Sequence, residues 1–349
     1  MKTLKYLFFL LSTCTMLSCE TVVENINLPY EERLVIESFI SPQDTLLEVK
    51  VSKTRPVVGT FPSNQSYGGF GSEAKPIIEG AIVEISDGQK KATFQLQTII
   101  NPFGTEYDPS TGKPIPQSRR GYFLKAKDFP IVAGKTYTLT AKALNLPDVS
   151  ATCTIPSRQL IDGNDFTILK GSSIDSIQNG YSNTNGVITN RYYTLSRRFD
   201  VTVKDLVSEE SYYAIAYYTN KIYKYNDGKG GFITQTITEQ QSFSDFISDY
   251  KQNGKTLNFK KANISLGYYS TDSSNPNPQN TLVISNKLSI YLAVTDKAYY
   301  QYNKGLINSQ GINNDDPFSE AVLTYSNVKG GLGVFAGYNM TKIEYDLLK

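Results

Sequence analysis

The residues that could carry chemistry are few in this sequence, because it contains no histidine. Without an imidazole, Ser-His and Cys-His nucleophile pairs and the common zinc sites are excluded. Carboxylates are the remaining acid–base groups, and two of them catalyse together only when they face each other across a cleft. The adjacent pairs Glu209-Glu210 and Asp315-Asp316 lie in turn-like segments and do not meet that requirement. The sequence therefore predicts a protein that is not an enzyme and needs no cofactor.

Residues 313–320 form an acidic segment that could offer oxygen ligands to a cation. Its ligands would be Asn313, Asp315, Asp316 and Glu320, but the spacing and the glycine of an EF-hand are absent. We interpret the segment as a solvated loop and predict no metal site, and cation binding by this loop stays an open alternative.

Two glycine motifs imitate nucleotide-binding loops. Gly134-Lys135-Thr136 resembles the end of a phosphate-binding loop, but Phe129 stands where the earlier glycine is required. Residues 331–336 fit a loose dinucleotide fingerprint, yet no βαβ unit surrounds them. We interpret the first motif as a turn, and we predict that the glycines of the second allow a bulge or a close backbone approach.

The N-terminus predicts export and lipidation. Residues 1–18 have the layout of a secretory signal peptide, with two lysines, a short apolar run and then small residues. The run Met16-Leu17-Ser18-Cys19 resembles a bacterial lipobox, so we expect cleavage between Ser18 and Cys19 and a lipid on the Cys19 sulfur. A competing site ends at Cys14, and an ordinary cleaved signal is the alternative. Residues 19–32 would then be a tether, whose ~14 residues reach about 45 Å when fully extended.

Removal of the signal peptide changes the charge and the cysteine count. Two of the 35 basic residues and none of the 33 acidic residues lie in the signal peptide, so 35 − 2 = 33 basic residues remain and the mature chain is formally neutral. A neutral chain has no electrostatic attraction to phosphate backbones, and we expect no nucleic-acid partner. Cys153 remains in an alternating stretch, which predicts a buried, inert thiol.

The apolar spacing predicts an all-β class. Between residues 34 and 155 the dominant period is two, which is typical of half-buried strands. Strands are expected at about 33–40, 46–53, 81–87, 91–99, 121–125, 136–142 and 149–155. Seven short strands in ~120 residues predict an immunoglobulin-like β-sandwich for residues 33–156.

Residues 157–349 are expected to form a second, β-rich domain with two short helices. Strands are expected at about 164–170, 191–205, 211–223, 232–238, 256–266, 281–294, 321–327 and 332–346. A capping pattern at Ser242, followed by an apolar stripe, predicts a first helix that ends near Asn253. The second helix is expected from about Asp296 to Leu306.

Two connections in the first domain, 56–80 and 101–120, are longer than simple turns. If consecutive strands reverse direction, both connections return to the end of the domain where the tether enters. The chain then leaves this domain at the opposite end. We therefore expect residues 157–349 to lie away from the tether.

Tyrosines supply the candidate interface. Most of the 25 tyrosines follow residue 156, and several form adjacent pairs. Neighbours in a strand point to opposite faces, so we expect one phenol of a pair to face outward, where tyrosine suits wet interfaces. The plain alternative is packing under loops. The candidate interface residues are Tyr67, Phe70, Tyr107, Tyr193, Tyr213 and Tyr218.

Several motifs resemble a known family. Cys19-Glu20, Arg33-Leu34-Val35-Ile36-Glu37 and Ala133-Gly134-Lys135-Thr136-Tyr137 are similar to segments of Bacteroidota lipoproteins catalogued as domain of unknown function 4249. Asp316-Pro317-Phe318 and the run from residue 325 to 335 resemble the closing signature of that family. The resemblance implies an outer-membrane lipoprotein that is often encoded beside a TonB-dependent receptor, and it carries over no catalytic residues.

These observations lead to one expected function and one alternative. We expect a non-enzymatic outer-membrane lipoprotein that acts as an accessory or ligand-capturing partner of a TonB-dependent transporter. Acidic residues soon after Cys19 favour the cell surface over the periplasmic face. The alternative is a surface glycan-binding or adhesion module, against which the absence of tryptophan counts. The ligand and the oligomeric state stay open.

Overall fold

The computed structural model describes residues 30–54, 77–107, 114–182, 188–207, 210–226, 232–272, 281–310 and 325–347. In this part of the chain, sixteen strands and one helix confirm the predicted all-β class. The strands before residue 156 are β1 (Leu34–Ile40), β2 (Leu46–Lys53), β3 (Ile82–Ser86), β4 (Lys91–Thr93), β5 (Gln95–Tyr107), β6 (Pro114–Lys125), β7 (Thr136–Lys142) and β8 (Val149–Thr154). The later elements are β9 (Phe166–Ser182), β10 (Ile188–Lys204), β11 (Tyr212–Asn226), β12 (Phe232–Ser248), β13 (Thr256–Asn258), β14 (Ala262–Asp272), β15 (Thr281–Thr295), the helix α1 (Lys297–Gln310) and β16 (Leu332–Asp346).

One eight-stranded sheet runs through both halves of the molecule, in the order β12-β11-β15-β16-β1-β2-β6-β5. Strand β16 joins the halves, because residues 332–337 run parallel to β1 and residues 338–346 pair antiparallel with β15. A second sheet has the order β4-β3-β7-β8, and a third contains β9, β10, β13 and β14. The large sheet contains strands from before and after residue 156. The division into domains 33–156 and 157–349 therefore stays a prediction. The immunoglobulin-like assignment of the first domain also stays a prediction.

Glycines allow β16 to lie directly against β1. Gly333 has a φ of 108°, and a Cβ atom there would lie 2.0 Å from the backbone oxygen of Ile36. At Gly331 a Cβ atom would lie 2.4 Å from the backbone oxygen of Leu34. No L side chain fits at either position. The predicted close backbone approach is therefore confirmed, and Gly134, with a φ of 79°, lies in the predicted turn.

Two hydrophobic cores lie on one face of the large sheet. The first packs β1, β2 and β6 against the β4-β3-β7-β8 sheet, and the second packs β11 and β15 against the third sheet. Ile155 belongs to the first core and Leu160 to the second, so the change of core falls near the predicted boundary. Phe335 of β16 nevertheless completes the first core. The N-terminal half therefore depends on a strand from the end of the chain.

The opposite face of the large sheet bears α1. Asp296 caps this helix, because one carboxylate oxygen accepts a hydrogen bond from the Tyr299 nitrogen at 2.8 Å. The other oxygen accepts from the Gly337 nitrogen of β16, also at 2.8 Å. Burial raises the pKa of Asp296 to about 6. The second predicted helix is thus confirmed, and no helix among the described residues is long and apolar enough to cross a membrane.

The strand directions confirm where the long connections lie. Leu34 pairs with Lys53, so β1 begins where β2 ends, and the β5–β6 hairpin turns at this same end because β6 runs antiparallel to β2. Strand β8 runs in the direction of β1, since Val149 packs at Gly331 and Ile155 packs at Gly337. The chain therefore leaves the first core at the end opposite to its entry. The part of β16 that pairs with β15 extends beyond the end of β1, so the C-terminal half lies away from residues 30–33, where the described chain enters the sheet.

The first predicted helix, from Ser242 to about Asn253, is wrong. Residues up to 248 continue β12, and a bulge shifts the register between Ala216 and Tyr217 of the partner strand. The bulge disturbs the strict alternation along β12. The resulting spacing of apolar residues imitated a helical stripe.

Three further predictions, two strands and one loop, also need correction. The predicted strand 91–99 is two strands, because the chain changes sheets at Phe94, whose side chain is buried and whose nitrogen donates to the Val83 oxygen at 2.9 Å. The predicted loop 101–120 is mostly strand, since β5 and β6 continue into a long hairpin. In the predicted strand 321–327, residues 325–327 belong to no strand, and the rest lies outside the described residues.

Candidate interaction surface

The chain enters the body through residues 30–33, which are tied to the end of β2. The Tyr30 hydroxyl donates a hydrogen bond to the Thr54 backbone oxygen. The Thr54 nitrogen donates to the Arg33 oxygen at 2.9 Å, and the Arg33 nitrogen donates to Thr54 Oγ1 at 3.0 Å. The Lys53 ammonium lies 2.6 Å from Glu32 Oε1, and this hydrogen bond raises the pKa of Lys53. The body therefore begins at Tyr30 and not at residue 33.

This attachment would shorten the predicted tether, which then ends at Tyr30. Eleven residue steps separate Cys19 from Tyr30, and a fully extended chain of that length spans at most about 40 Å. A lipid on Cys19 would therefore hold this end of the sheet close to the membrane. We call it the tethered end, and it comprises residues 30–33, the end of β2 and the β5–β6 hairpin.

The β5–β6 hairpin leaves the large sheet at Tyr122. Pairing between β2 and β6 ends at Val49 and Tyr122, after which the Ile78 nitrogen donates to the Val51 oxygen at 2.8 Å. The Tyr122 hydroxyl donates to the Ile78 oxygen at 2.7 Å and accepts from the Ala81 nitrogen at 2.9 Å. The segment at residue 78 thus takes the place of β6 beside β2. Beyond this point β5 and β6 pair with each other as a two-stranded arm.

Ion pairs leave the tethered end electrically balanced. The pairs and their N–O distances are Arg33–Glu31 at 2.5 Å, Lys53–Glu32 at 2.6 Å, Arg119–Glu48 at 3.0 Å and Arg120–Glu79 at 2.7 Å. Exposed pairs of this kind contribute little stability, about 0–1 kcal/mol each. Because each cation of these four pairs has an acidic partner, the pairs themselves add no net charge that would attract anionic lipid.

For four of the six candidate interface residues, the structure does not describe the side chain. Tyr67 and Phe70 lie outside the described residues, and Tyr107 and Tyr193 lie in β5 and β10, where the description covers the backbone. Cys19 and Ser18 and the acidic segment 313–320 also lie outside the described residues. The roles predicted for these residues therefore stay predictions.

Tyr213 is not an interface residue. Its side chain is 1% exposed and packs in the second core, and its hydroxyl donates to Asp205 Oδ1 at 2.6 Å. Burial is the main cause that raises its pKa. Its neighbour Tyr212 faces the other side of the sheet but is covered by Tyr300 of α1, with ring centroids 5.0 Å apart. The expectation of one exposed phenol fails because both faces of the sheet are covered here.

Tyr218 is the candidate that the structure leaves partly accessible. It is half-buried on the face that bears α1, and its ring centroid lies 5.2 Å from that of Tyr291. The Lys342 ammonium lies 5.8 Å from the Tyr291 ring centre, within the range of a cation–π contact. Tyr218 and Tyr291 thus form a small aromatic patch in the C-terminal half.

Several residues that shape these surfaces have no sequence signal. Asp44, in the β1–β2 turn, accepts hydrogen bonds from the Tyr338 hydroxyl at 2.9 Å and from the Ser41 nitrogen at 2.7 Å. Burial raises the pKa of Asp44 to about 6. Tyr122 and Thr54 were also missed, because they bond to residues 44 and 24 positions away along the chain. A helix N-cap argument could have found Asp296.

The described residues show no catalytic grouping. Cys153 is a free, buried thiol, which confirms the prediction that it is buried, and burial raises its pKa well above the ordinary value. Among the described residues no three His, Cys, Asp or Glu side chains are placed to hold a metal ion. The features that the described residues present at the surface are the β5–β6 arm and the aromatic patch of Tyr218 and Tyr291.

Comparison with known protein families gives a match over most of the chain. The model of a family described as "Domain of unknown function (DUF4249)" matches residues 20–344. No curated protein matches the sequence.

Proposed function

Because the chain belongs to the DUF4249 family, whose description states no activity, we propose a function from the geometry of its tethered end. The protein is a non-enzymatic outer-membrane lipoprotein anchored through Cys19. It acts as an accessory or ligand-capturing partner that docks through the tethered end onto a TonB-dependent transporter. Its side of the membrane is the cell surface.

The observation that supports this proposal is the convergence of three features at one end of the sheet. Residues 30–33 are hydrogen-bonded to the end of β2, and the β5–β6 arm projects from the same end. The connection between β2 and β3 also leaves from there, since it starts after Lys53. A short tether would hold these features against a neighbour in the same membrane.

The arm has the physical character of a docking element. A two-stranded hairpin without further strands is marginally stable in water. The arm carries Ile100, whose side chain is 69% exposed, and its β5 edge is hydrogen-bonded to no further strand among the described residues, although β5 also contacts β12. Contact with another protein would cover this apolar surface and satisfy backbone groups along the edge.

The alternative function, a glycan-binding or adhesion module, depends on accessible tyrosine rings, and only some of the predicted rings are accessible. Tyr213 is buried and cannot stack on a sugar, whereas Tyr218 and Tyr291 stay half-buried. Two partly accessible rings form a smaller platform than the predicted set of six residues. Docking at the tethered end is therefore the better-supported proposal.

The anchor can be tested by exchanging single cysteines. Cys19→Ala should release the protein from the membrane fraction and abolish its incorporation of labelled fatty acid, because the cysteine of the lipobox is the attachment point. Cys14→Ala is the matched control and should stay membrane-bound. If the Cys19 variant stays lipidated and the Cys14 variant is released, the anchor is misassigned and the tether geometry proposed above is wrong.

A further inference from the structure

Exposed apolar side chains of the N-terminal half are concentrated at one of its ends. In the described part of this half and in the segment of β16 that pairs with β1, the large apolar side chains that are exposed are Tyr30, Ile82, Ile100, Val132, Leu144 and Leu332. Single exposed apolar residues are normal on a protein surface, so their distribution is what carries information. Ile100 belongs to the β5–β6 arm, and four of the other five lie beside the tethered end.

Leu332 and Leu144 lie at this end in two different sheets. Leu332 is 43% exposed and pairs with Val35 at the start of β1. Leu144 is 88% exposed and lies in the turn between β7 and β8. This turn is beside the start of β1, because Val149 at the start of β8 packs at Gly331. Both leucines therefore lie where the chain enters the large sheet.

Ile82 and Tyr30 extend this apolar surface. Ile82 pairs with Lys142, the last residue of β7, so it lies at the same end of the second sheet as the β7–β8 turn. Tyr30 is hydrogen-bonded to the residue that follows β2. We use the term apolar rim for Tyr30, Ile82, Leu144 and Leu332.

Ion pairs lie next to the apolar rim. The Lys142 ammonium lies 2.6 Å from Asp148 Oδ2, beside Leu144, and the Lys53–Glu32 pair lies beside Tyr30. These pairs add no net charge to the rim. Contact of the rim with a membrane would therefore draw on the burial of apolar surface and not on attraction to anionic headgroups.

The tether determines which surface the apolar rim meets. A lipid on Cys19 would hold Tyr30 within about 40 Å of the bilayer. A short flexible link of this kind gives an effective concentration in the mM range, so a contact that is too weak for a free protein can persist. The rim includes residues of two sheets around one end of the molecule, which suits a flat, fluid surface better than a single groove.

We propose that the apolar rim inserts into the interfacial layer of the same bilayer that holds the lipid anchor. Leu144 and Leu332 would lie among the lipid headgroups, and β1 would lead away from the membrane toward the C-terminal half. This inference rests on the proposed anchor at Cys19 and needs no transporter. It adds a second, non-covalent membrane contact that sets the orientation of the arm.

Tryptophan fluorescence tests the membrane contact, because the sequence contains no tryptophan and an introduced one is the only emitter of its kind. Leu144→Trp places the reporter on the rim. Val132→Trp is the matched control, since Val132 is 45% exposed and lies at the opposite end of the first core. Its position follows from Gly134, whose nitrogen donates to the oxygen of Ile155, the residue that packs at Gly337.

Both lipoproteins are purified from membranes and reconstituted into phosphatidylcholine vesicles, with and without bromine on the acyl chains. The Leu144→Trp protein should emit at shorter wavelength and lose most of its fluorescence to the brominated lipid, whereas the Val132→Trp protein should keep its fluorescence. Equal quenching of the two proteins on floated vesicles, or quenching of neither, would overturn the membrane contact and leave the anchor standing. A wavelength shift of Leu144→Trp that requires added TonB-dependent transporter would also overturn it, in favour of a protein contact. Protein that does not float with the vesicles would contradict the anchor and this inference together.

Discussion

Gly333 determines at the residue scale whether the two ends of the chain can come together. Its φ of 108° lies in a region that side chains rarely adopt, and a Cβ atom there would lie 2.0 Å from the Ile36 oxygen. The clash would be with backbone, which cannot rotate away as a side chain can. Any side chain here therefore pushes β16 off β1.

Gly333→Ala should destabilise the protein by about 3 kcal/mol or more, since it adds both a backbone clash and an unfavourable φ. Gly305→Ala is the matched control. Gly305 lies in α1, and no atom lies within 4 Å of the position that an added methyl group would take, so alanine should stabilise the helix by about 1 kcal/mol. Denaturant unfolding of both variants measures the difference. Equal effects of the two substitutions would show that β16 does not approach β1 this closely.

The tyrosines show what residue patterns can and cannot predict. Alternation along β11 correctly separates Tyr213 from Tyr212 and Tyr217 from Tyr218 onto two faces. It does not reveal that α1 covers part of the second face, so Tyr212 is buried as well. Exposure depends on what packs above a strand, and that partner lies far away in the sequence.

At the scale of elements, β16 is the strand on which both halves depend. The Asn339 side chain accepts from Gln43 Nε2 at 2.9 Å and donates to the Pro156 oxygen at 3.0 Å. The Thr341 hydroxyl donates to the Leu160 oxygen at 2.6 Å. These bonds join β16 to the β1–β2 turn and to the segment that connects the two cores. Strand β16 therefore connects the two halves of the molecule.

Residues 30–156 alone should not unfold cooperatively, because they lack the strand that pairs with β1 and the buried Phe335. The same fragment followed by a flexible linker of ~20 residues and residues 325–341 should regain a cooperative transition. Circular dichroism during heating of the two fragments provides the measurement. A sharp, equal transition in both would establish the N-terminal half as an independent domain.

The strands of the N-terminal half were predictable, and their partners were not. One face of each strand packs in the first core, so a period of two marks β1, β2, β3, β7 and β8 in the sequence. The parallel pairing of β1 with β16 has no local signal, since nearly 300 residues separate them. The change of sheets at Phe94 and the bulge in β12 broke the pattern where the predictions were wrong.

At the scale of the whole molecule, the shared sheet gives the protein two distinct ends. The tethered end holds residues 30–33 and the β5–β6 arm, and the paired strands β15 and β16 extend the sheet in the opposite direction. A lipid on Cys19 would leave the first end within about 40 Å of the membrane. A partner in the same membrane would therefore meet the arm before it meets the C-terminal half.

The most direct test is co-purification of a TonB-dependent transporter with variants that change one end at a time. In one variant residues 99–119 are replaced by Asn-Gly, which joins the paired Thr98 and Arg120 by a tight turn. A second lacks residues 60–75. A control lacks residues 274–279, between β14 and β15 in the other half. We predict that the first two variants lose most of the transporter while the control recovers it fully; loss in the control with recovery in the others would contradict docking through the tethered end.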